Sequence, residues 1–166
     1  MRFGLNTFLK SPGFTDSDSA LISEFKSYGA DAIELAVVEP STISVPQIKY
    51  ALSLCDFEGP IICGAFGSGR DLRGTPEQMR AASSYIEELI GLAVALDSKI
   101  VCGPLYSQTG RSNAYNIKER QSQRIQIVNA LKPLCARAEA AGMTLAVEPL
   151  NRFETDCINT LEQAVS

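Results

Sequence analysis

Histidine is absent from the sequence, which excludes every mechanism that needs an imidazole supplied by this chain. No apolar run reaches the ~18 residues that a membrane-crossing helix requires. Met1–Phe8 also lacks the basic-then-apolar order of a signal peptide. No membrane is therefore expected as a partner. Basic residues are scattered and the net charge is −4, so a nucleic-acid surface is not expected either. The five cysteines, Cys55, Cys63, Cys102, Cys135 and Cys157, are an odd number without a CxxC pair, and a reducing cytoplasm fits them best. Cys63 and Cys102 lie in apolar runs and read as small buried core residues. With no imidazole in the chain, none of the five carries a signal of nucleophilic catalysis. There is no low-complexity tract.

What is present is ordinary for a globular protein: 166 residues, 45% hydrophobic and 20% charged, enough for one domain with a sizeable core. Short apolar runs at Arg2–Thr7, Ala32–Val38, Ile61–Ala65, Lys99–Cys102 and Thr144–Glu148 read as strands. Helices are predicted between them. The first is capped at Asp16 or Ser17 and stops at Gly29, and the second spans Val45–Cys55. The third starts at a Thr75–Gln78 capping box with Pro76 in its first turn. The fourth starts at Asn116 with Glu119 three residues on and stops near Gly142. Each strand is a continuous apolar run, the pattern of strands buried on both faces in a parallel sheet. Loops after the strands are long, glycine-rich and polar, while returns from helix to strand are short. That asymmetry places function at the C-terminal ends of the strands. Thr160–Gln163 reads as another capping box, opening a fifth helix at about Leu161 with one turn before Ser166. A capped start followed by nothing leads to the expectation of an interrupted chain, since a (β/α)8 barrel takes ~250 residues.

The stretch with most chemistry is Ala146–Glu154. The run Met143–Val147 delivers a carboxylate, Glu148, directly into Pro149, and Glu154 follows six residues later. Two readings stand for this pair: a metal ligand or acid/base carboxylate at a strand end with a second acid orienting substrate, or a solvated acid just past a strand. Glu34 sits mid-run and reads as a buried carboxylate satisfied by a neighbouring arginine or backbone donors. Gly67–Arg70 could cradle a phosphate through backbone N–H groups. It lacks the P-loop Gly-Lys-Ser/Thr, so a flexible loop with solvated arginines is the plainer reading. Tyr106, Tyr115 and Phe153 could line a sugar pocket, although an aromatic beside a strand end more often packs.

Taken together, Ile62–Leu72, Gly103–Ser107 with Gly110–Arg111, and Glu148–Asp156 followed by Ile158–Thr160 resemble the ketose 3-epimerases. These are the D-tagatose, D-psicose and L-ribulose 3-epimerases of the xylose-isomerase-like group of sugar (phosphate) isomerases. The resemblance implies an α/β fold, a parallel (β/α) barrel of TIM type of which only about the first five βα units are here, so that residues 1–166 form the N-terminal part of one barrel domain. It implies a ketose such as D-psicose, D-tagatose or L-ribulose as substrate, a cytoplasmic setting and a homo-oligomer. It also implies one divalent metal, Mn²⁺, Co²⁺ or Mg²⁺, held by two Glu, an Asp and a His. Glu148 matches the first of these ligands and one of the two acid/base carboxylates. Glu154 matches the acid that hydrogen-bonds the O1–O2 end of the sugar. Asn6 matches a first-strand residue against the sugar, and Cys63 and Leu105 match the pocket wall. In such a reaction, removing the proton at C3 builds negative charge on the C2 oxygen, which a Lewis acid stabilises, and a second acid returns a proton on the opposite face. The Asp, the His and the second Glu have no counterpart in this sequence, so the chain alone is expected to be inactive and to bind no ion tightly. A sugar phosphate or inosose isomerase or lyase of the same barrel group, with Arg70, Arg73 and Arg111 on phosphate, is the alternative. A non-catalytic, self-associating half-barrel is a further one.

Overall fold

Caps and buried apolar runs set out an alternation of strands and helices. The structure, a computed structural model, describes residues 1–112 and 116–165. Strand β1 (Gly4–Asn6) is followed by α1 (Ala20–Ser27), β2 (Ala32–Ala36), α2 (Val45–Leu54), β3 (Ile61–Cys63) and α3 (Pro76–Ala95). Then come β4 (Ile100–Gly103), α4 (Ile117–Ala140), β5 (Thr144–Val147) and α5 (Leu161–Val165). The five strands form one parallel sheet in the order β1-β2-β3-β4-β5. Each strand is laid beside its predecessor, the winding of a barrel and not that of an open doubly wound sheet, whose order reverses. Among the described residues the sheet stays open, with β1 and β5 as its edges. The architecture is a partial (β/α) barrel. No described helix is long and apolar enough to cross a membrane.

The helix starts follow from local chemistry. The Thr75 hydroxyl accepts from the Gln78 N–H while the Gln78 carboxamide accepts from the Thr75 N–H, and Pro76 sits where its missing donor costs nothing. Asn116 and Glu119 form the same reciprocal pair at the start of α4. At α5 only half of the expected box forms. The Thr160 hydroxyl accepts from the Gln163 N–H, but the Gln163 side chain accepts from the Asn159 N–H, one residue earlier than a capping box requires. Helix α1 begins later than its capping residues indicate, because Asp16–Asp18 forms a separate 3-10 turn. Strand β1 is shorter than predicted because Thr7 already belongs to a 3-10 turn, Thr7–Leu9, capped by the Asn6 side chain.

Successive side chains point to opposite faces of a sheet. On the helix side, Ile33, Leu35, Ile62 and Val101 are fully buried against Ile86, Leu89 and the rest of the core, each contributing roughly 1.5–3 kcal/mol of burial. The other, concave face carries Asn6, Glu34, Cys63, Cys102 and Ala146. Register aligns them: Asn6 pairs with Glu34, Cys63 with Cys102, and Cys102 with Ala146. Cys63 is buried as expected, but Cys102 is only half-buried and lies on the concave face, outside the core. An apolar run gives no sign of which face a given position takes.

Candidate active site

Strand β5 ends at Val147, and the Glu148 N–H still donates to the Gly103 carbonyl at 3.0 Å. Pro149 has no N–H to continue the ladder. Glu148 lies two residues beyond Ala146 and so keeps to the concave side, at the C-terminal rim of the sheet. Its side chain stays solvent-accessible. Even so, its carboxyl is held above the ordinary carboxylate range, first by partial loss of hydration over the sheet, then by the like charges of Glu34 and Glu154. The charges of Glu34, on the concave face below, and of Glu154 thus both act on the Glu148 carboxyl at the rim.

The partner of Glu34 is not an arginine or a backbone donor, as the sequence led one to expect. It is the Asn6 side-chain amide, which donates to the Glu34 carboxylate. Asn6 uses both ends of its carboxamide: its oxygen accepts from the Phe8 N–H at 2.7 Å, capping the turn, while its NH₂ holds the acid on the neighbouring strand. Nothing in the sequence pairs Asn6 with Glu34. Their contact comes from the register of β1 on β2.

Glu154 is held by its own loop. Asn151 donates from its amide to the Glu154 carboxylate and accepts from the Phe153 N–H. The Glu154 carbonyl accepts from the Gly110 N–H at 2.7 Å, and Arg111 and Thr155 make an isolated parallel bridge. Asn159 closes the loop by donating to the carbonyls of Leu150 and Thr155. The loops that follow β4 and β5 are therefore one hydrogen-bonded unit.

The arginines expected to be solvated are tied into the protein. Arg73, 4% exposed, donates to the Asp156 carboxylate at 2.5 Å, to the Ser107 hydroxyl, to Gln123 and to the Arg111 carbonyl. Arg111 pairs with the buried Asp71 at 2.6 Å. Arg70 pairs with Glu39 at 2.8 Å, donates to the Val38 carbonyl and lies over the Tyr85 ring. A glycine-rich loop reads as solvated because its partners lie far along the chain. Here they come from the loops after β2, β4 and β5.

Of the other predicted site residues, Cys63 lies on the concave face, 2% exposed. Leu105 is fully buried beside Gly64, Leu89 and Tyr85 on the helix side, and is not brought to the carboxylates. Tyr106 is buried with its hydroxyl donating to the Ile158 carbonyl, so it packs. Phe153 is 85% exposed. Tyr115 lies outside the described residues. A cleft of about 600 Å³ opens elsewhere, lined by Ile125, Val128, Leu131, Val147, Ile158 and Ala164 among others. It lacks converging acids, and the chemistry sits at the rim. Among the described residues, one group of three metal-capable side chains has its ligand atoms within 4.8 Å of one another: Glu34, Cys63 and Cys102. That donor set differs from the two Glu, Asp and His implied by the resemblance.

Residues 22–166 match the family described as "Xylose isomerase-like TIM barrel". The chain is 25% identical over 171 residues to a probable ketose 3-epimerase of Synechocystis sp., covering 99% of this chain and 57% of that protein. It is 32% identical over 90 residues to the D-psicose 3-epimerase of Enterocloster bolteae, covering 54% of this chain and 30% of that protein. The crystal structure of a D-allulose 3-epimerase from Methylomonas sp. in complex with D-allulose superposes with a TM-score of 0.89 at 22% identity, over 99% of this chain and 57% of that one. This likeness shows the fold. The chain thus spans a little over half the length of the first two of these that it matches throughout.

Proposed function

Since the chain belongs to the xylose isomerase-like TIM barrel family, we propose that it is the N-terminal part of one barrel domain that epimerises a free ketose at C3, with Glu148 transferring the proton. The observation that carries this reading is the rim position of Glu148 above the concave face, its carboxyl raised by partial loss of hydration and by two neighbouring acids. A base is most effective when its pKa approaches the working pH, and an upward shift moves a carboxylate in that direction. Glu154, held by Asn151, is the acid for the O1–O2 end of the sugar. Asn6 and Cys63 form the floor, and Leu105 backs it from the helix side. The name of the Enterocloster relative favours D-psicose as the substrate, with L-ribulose and D-tagatose as further ketoses that the resemblance implies.

Of the four metal ligands that the resemblance implies, this chain offers Glu148 alone. A hard divalent cation such as Mn²⁺, Co²⁺ or Mg²⁺, on one carboxylate and water, binds weakly. The 166-residue chain by itself is therefore inactive in this reading. The alternative of a phosphorylated substrate loses its support, because Arg70, Arg73 and Arg111 are committed to partners inside the protein. Free thiols at all five cysteines favour a reducing, cytoplasmic setting. A homo-oligomer, which the resemblance implies, belongs to the same proposal.

The test is a chimeric barrel in which residues 1–166 replace the matching part of the Methylomonas allulose epimerase. The folded chimera is expected to turn over D-psicose and not ketose phosphates, while the 166-residue chain assayed alone turns over neither. Glu148→Gln in the chimera is expected to lower kcat by about a hundredfold or more. A folded chimera whose activity ignores Glu148→Gln, or that prefers a ketose phosphate, overturns the reading.

A further inference from the structure

Glu34, Cys63 and Cys102 come from three adjacent strands and meet on the concave face, below the rim that holds Glu148. Cys63 and Cys102 are register partners across β3 and β4. Glu34 stands on β2 two residues before Ala36, the register partner of Cys63. One carboxylate oxygen and two sulfurs lie within 4.8 Å of one another, and both thiols are free. The proton transfer assigned to Glu148 makes no use of Cys102 or of the Glu34 carboxylate as donors.

The donor chemistry is specific. Two thiolates with one carboxylate suit a soft or borderline cation and not Mg²⁺ or Mn²⁺. Tetrahedral zinc with Zn–S near 2.3 Å places two sulfurs about 3.8 Å apart, so shifts of up to about 1 Å close this group around an ion. The Asn6 amide already donates to one oxygen of Glu34, the kind of outer contact that orients a ligating carboxylate and leaves its other oxygen to bind. Cys63 is buried, while Cys102 and Glu34 are half-buried, which leaves an approach from the concave side. We propose that Glu34, Cys63 and Cys102 form a three-ligand site for a cation of the zinc–cadmium class, with its fourth position open to the concave face. The site makes no use of Glu148, the residue assigned to a hard cation by resemblance.

Cadmium alone is the probe. The purified 166-residue chain, kept reduced by a phosphine under anaerobic conditions, is titrated with Cd²⁺. A thiolate-to-cadmium charge-transfer absorption is expected to saturate at one equivalent. Bound Cd²⁺ is expected to shield the half-buried Cys102 from alkylation, read by peptide mass, while the exposed Cys135 remains reactive. Glu34→Gln is expected to weaken Cd²⁺ binding by about tenfold or more. The absence of a one-equivalent band from the folded wild-type chain overturns the proposal, as does protection that maps to other cysteines. Both readings use the wild-type chain, so a variant that fails to fold does not blunt the test.

Discussion

Gly103→Ala is expected to leave the chain unfolded, or at least about 4 kcal/mol less stable, a loss at the extreme of single substitutions. The reason is backbone on backbone. Gly103 has φ +126°, a conformation that L side chains rarely adopt. A Cβ built there lies 2.0 Å from the Gly64 carbonyl oxygen and 3.1 Å from its carbon. Neither atom can swing aside as a flexible side chain would, because the Gly64 N–H is bonded to the Cys102 carbonyl at 2.9 Å. The Gly103 carbonyl itself accepts from the N–H groups of Leu105 and Glu148. Displacing it therefore dislodges the strand end that delivers Glu148. With a typical domain stability of about 5–15 kcal/mol, such a loss takes most of the folded population. Gly91→Ala is the control. Gly91 is exposed in α3 with nothing within 4 Å of a built Cβ, and alanine there is expected to stabilise by roughly 0.5–1 kcal/mol. Urea unfolding followed by circular dichroism reads both. A Gly103→Ala chain that unfolds at the wild-type urea concentration contradicts the packing described here.

Arg73→Ala is expected to cost about 3–5 kcal/mol, the range for breaking a buried ion pair from one side. The Arg73 side chain is 1% exposed and Asp156 is 11% exposed in their pair. Alanine would leave Asp156 with a desolvated charge and would strip partners from Ser107, Gln123 and the Arg111 carbonyl. Arg73→Lys is expected to recover little. A single ammonium cannot reproduce a planar fork that contacts four groups at once. Arg73 also joins the loops after β3, β4 and β5, so its loss reaches the segment that carries Glu154. Urea unfolding of Arg73→Ala, Arg73→Lys and Asp156→Asn checks this. A cost under about 1 kcal/mol for Arg73→Ala would place the guanidinium among the weak surface pairs.

Much of the scaffold could be read directly from local sequence, because local chemistry determines it. Thr75 with Gln78 and Asn116 with Glu119 cap helices through contacts three residues apart, and Gly29 with φ +85° ends the first helix region. The strands are legible as apolar runs, though β1, β2, β3 and β5 end one or two residues before their runs do, where the chain peels off into loops, and β4 runs one residue later than its run, Ile100–Gly103. The face of each strand residue was not legible. In a continuous apolar run the period of two is hidden, so Cys102 looked like core and Glu34 like a buried acid awaiting an arginine. The parallel register that aligns Asn6, Glu34, Cys63 and Cys102 involves residues tens of positions apart. The roles of Arg73 and Arg111 were hidden for the same reason, since Asp156 and Asp71 reach them only when the loops are assembled.

The most direct measurement of the central claim is the pH titration of the Glu148 side-chain carboxyl by carbon NMR, in the wild-type chain and in Glu34→Gln. An acid whose folded pKa is raised has its neutral form favoured by the fold. The penalty for ionising it is absent below the ordinary carboxylate range and grows as pH rises towards the folded value. Glu148 is accordingly expected to titrate above that range, to move back towards it when Glu34 loses its charge, and to weigh on stability more at neutral than at acid pH. A Glu148 that titrates as a solvent-exposed carboxyl, indifferent to Glu34→Gln, would mean that its side chain does not stand over the concave face, and the active-site assignment would fall with it.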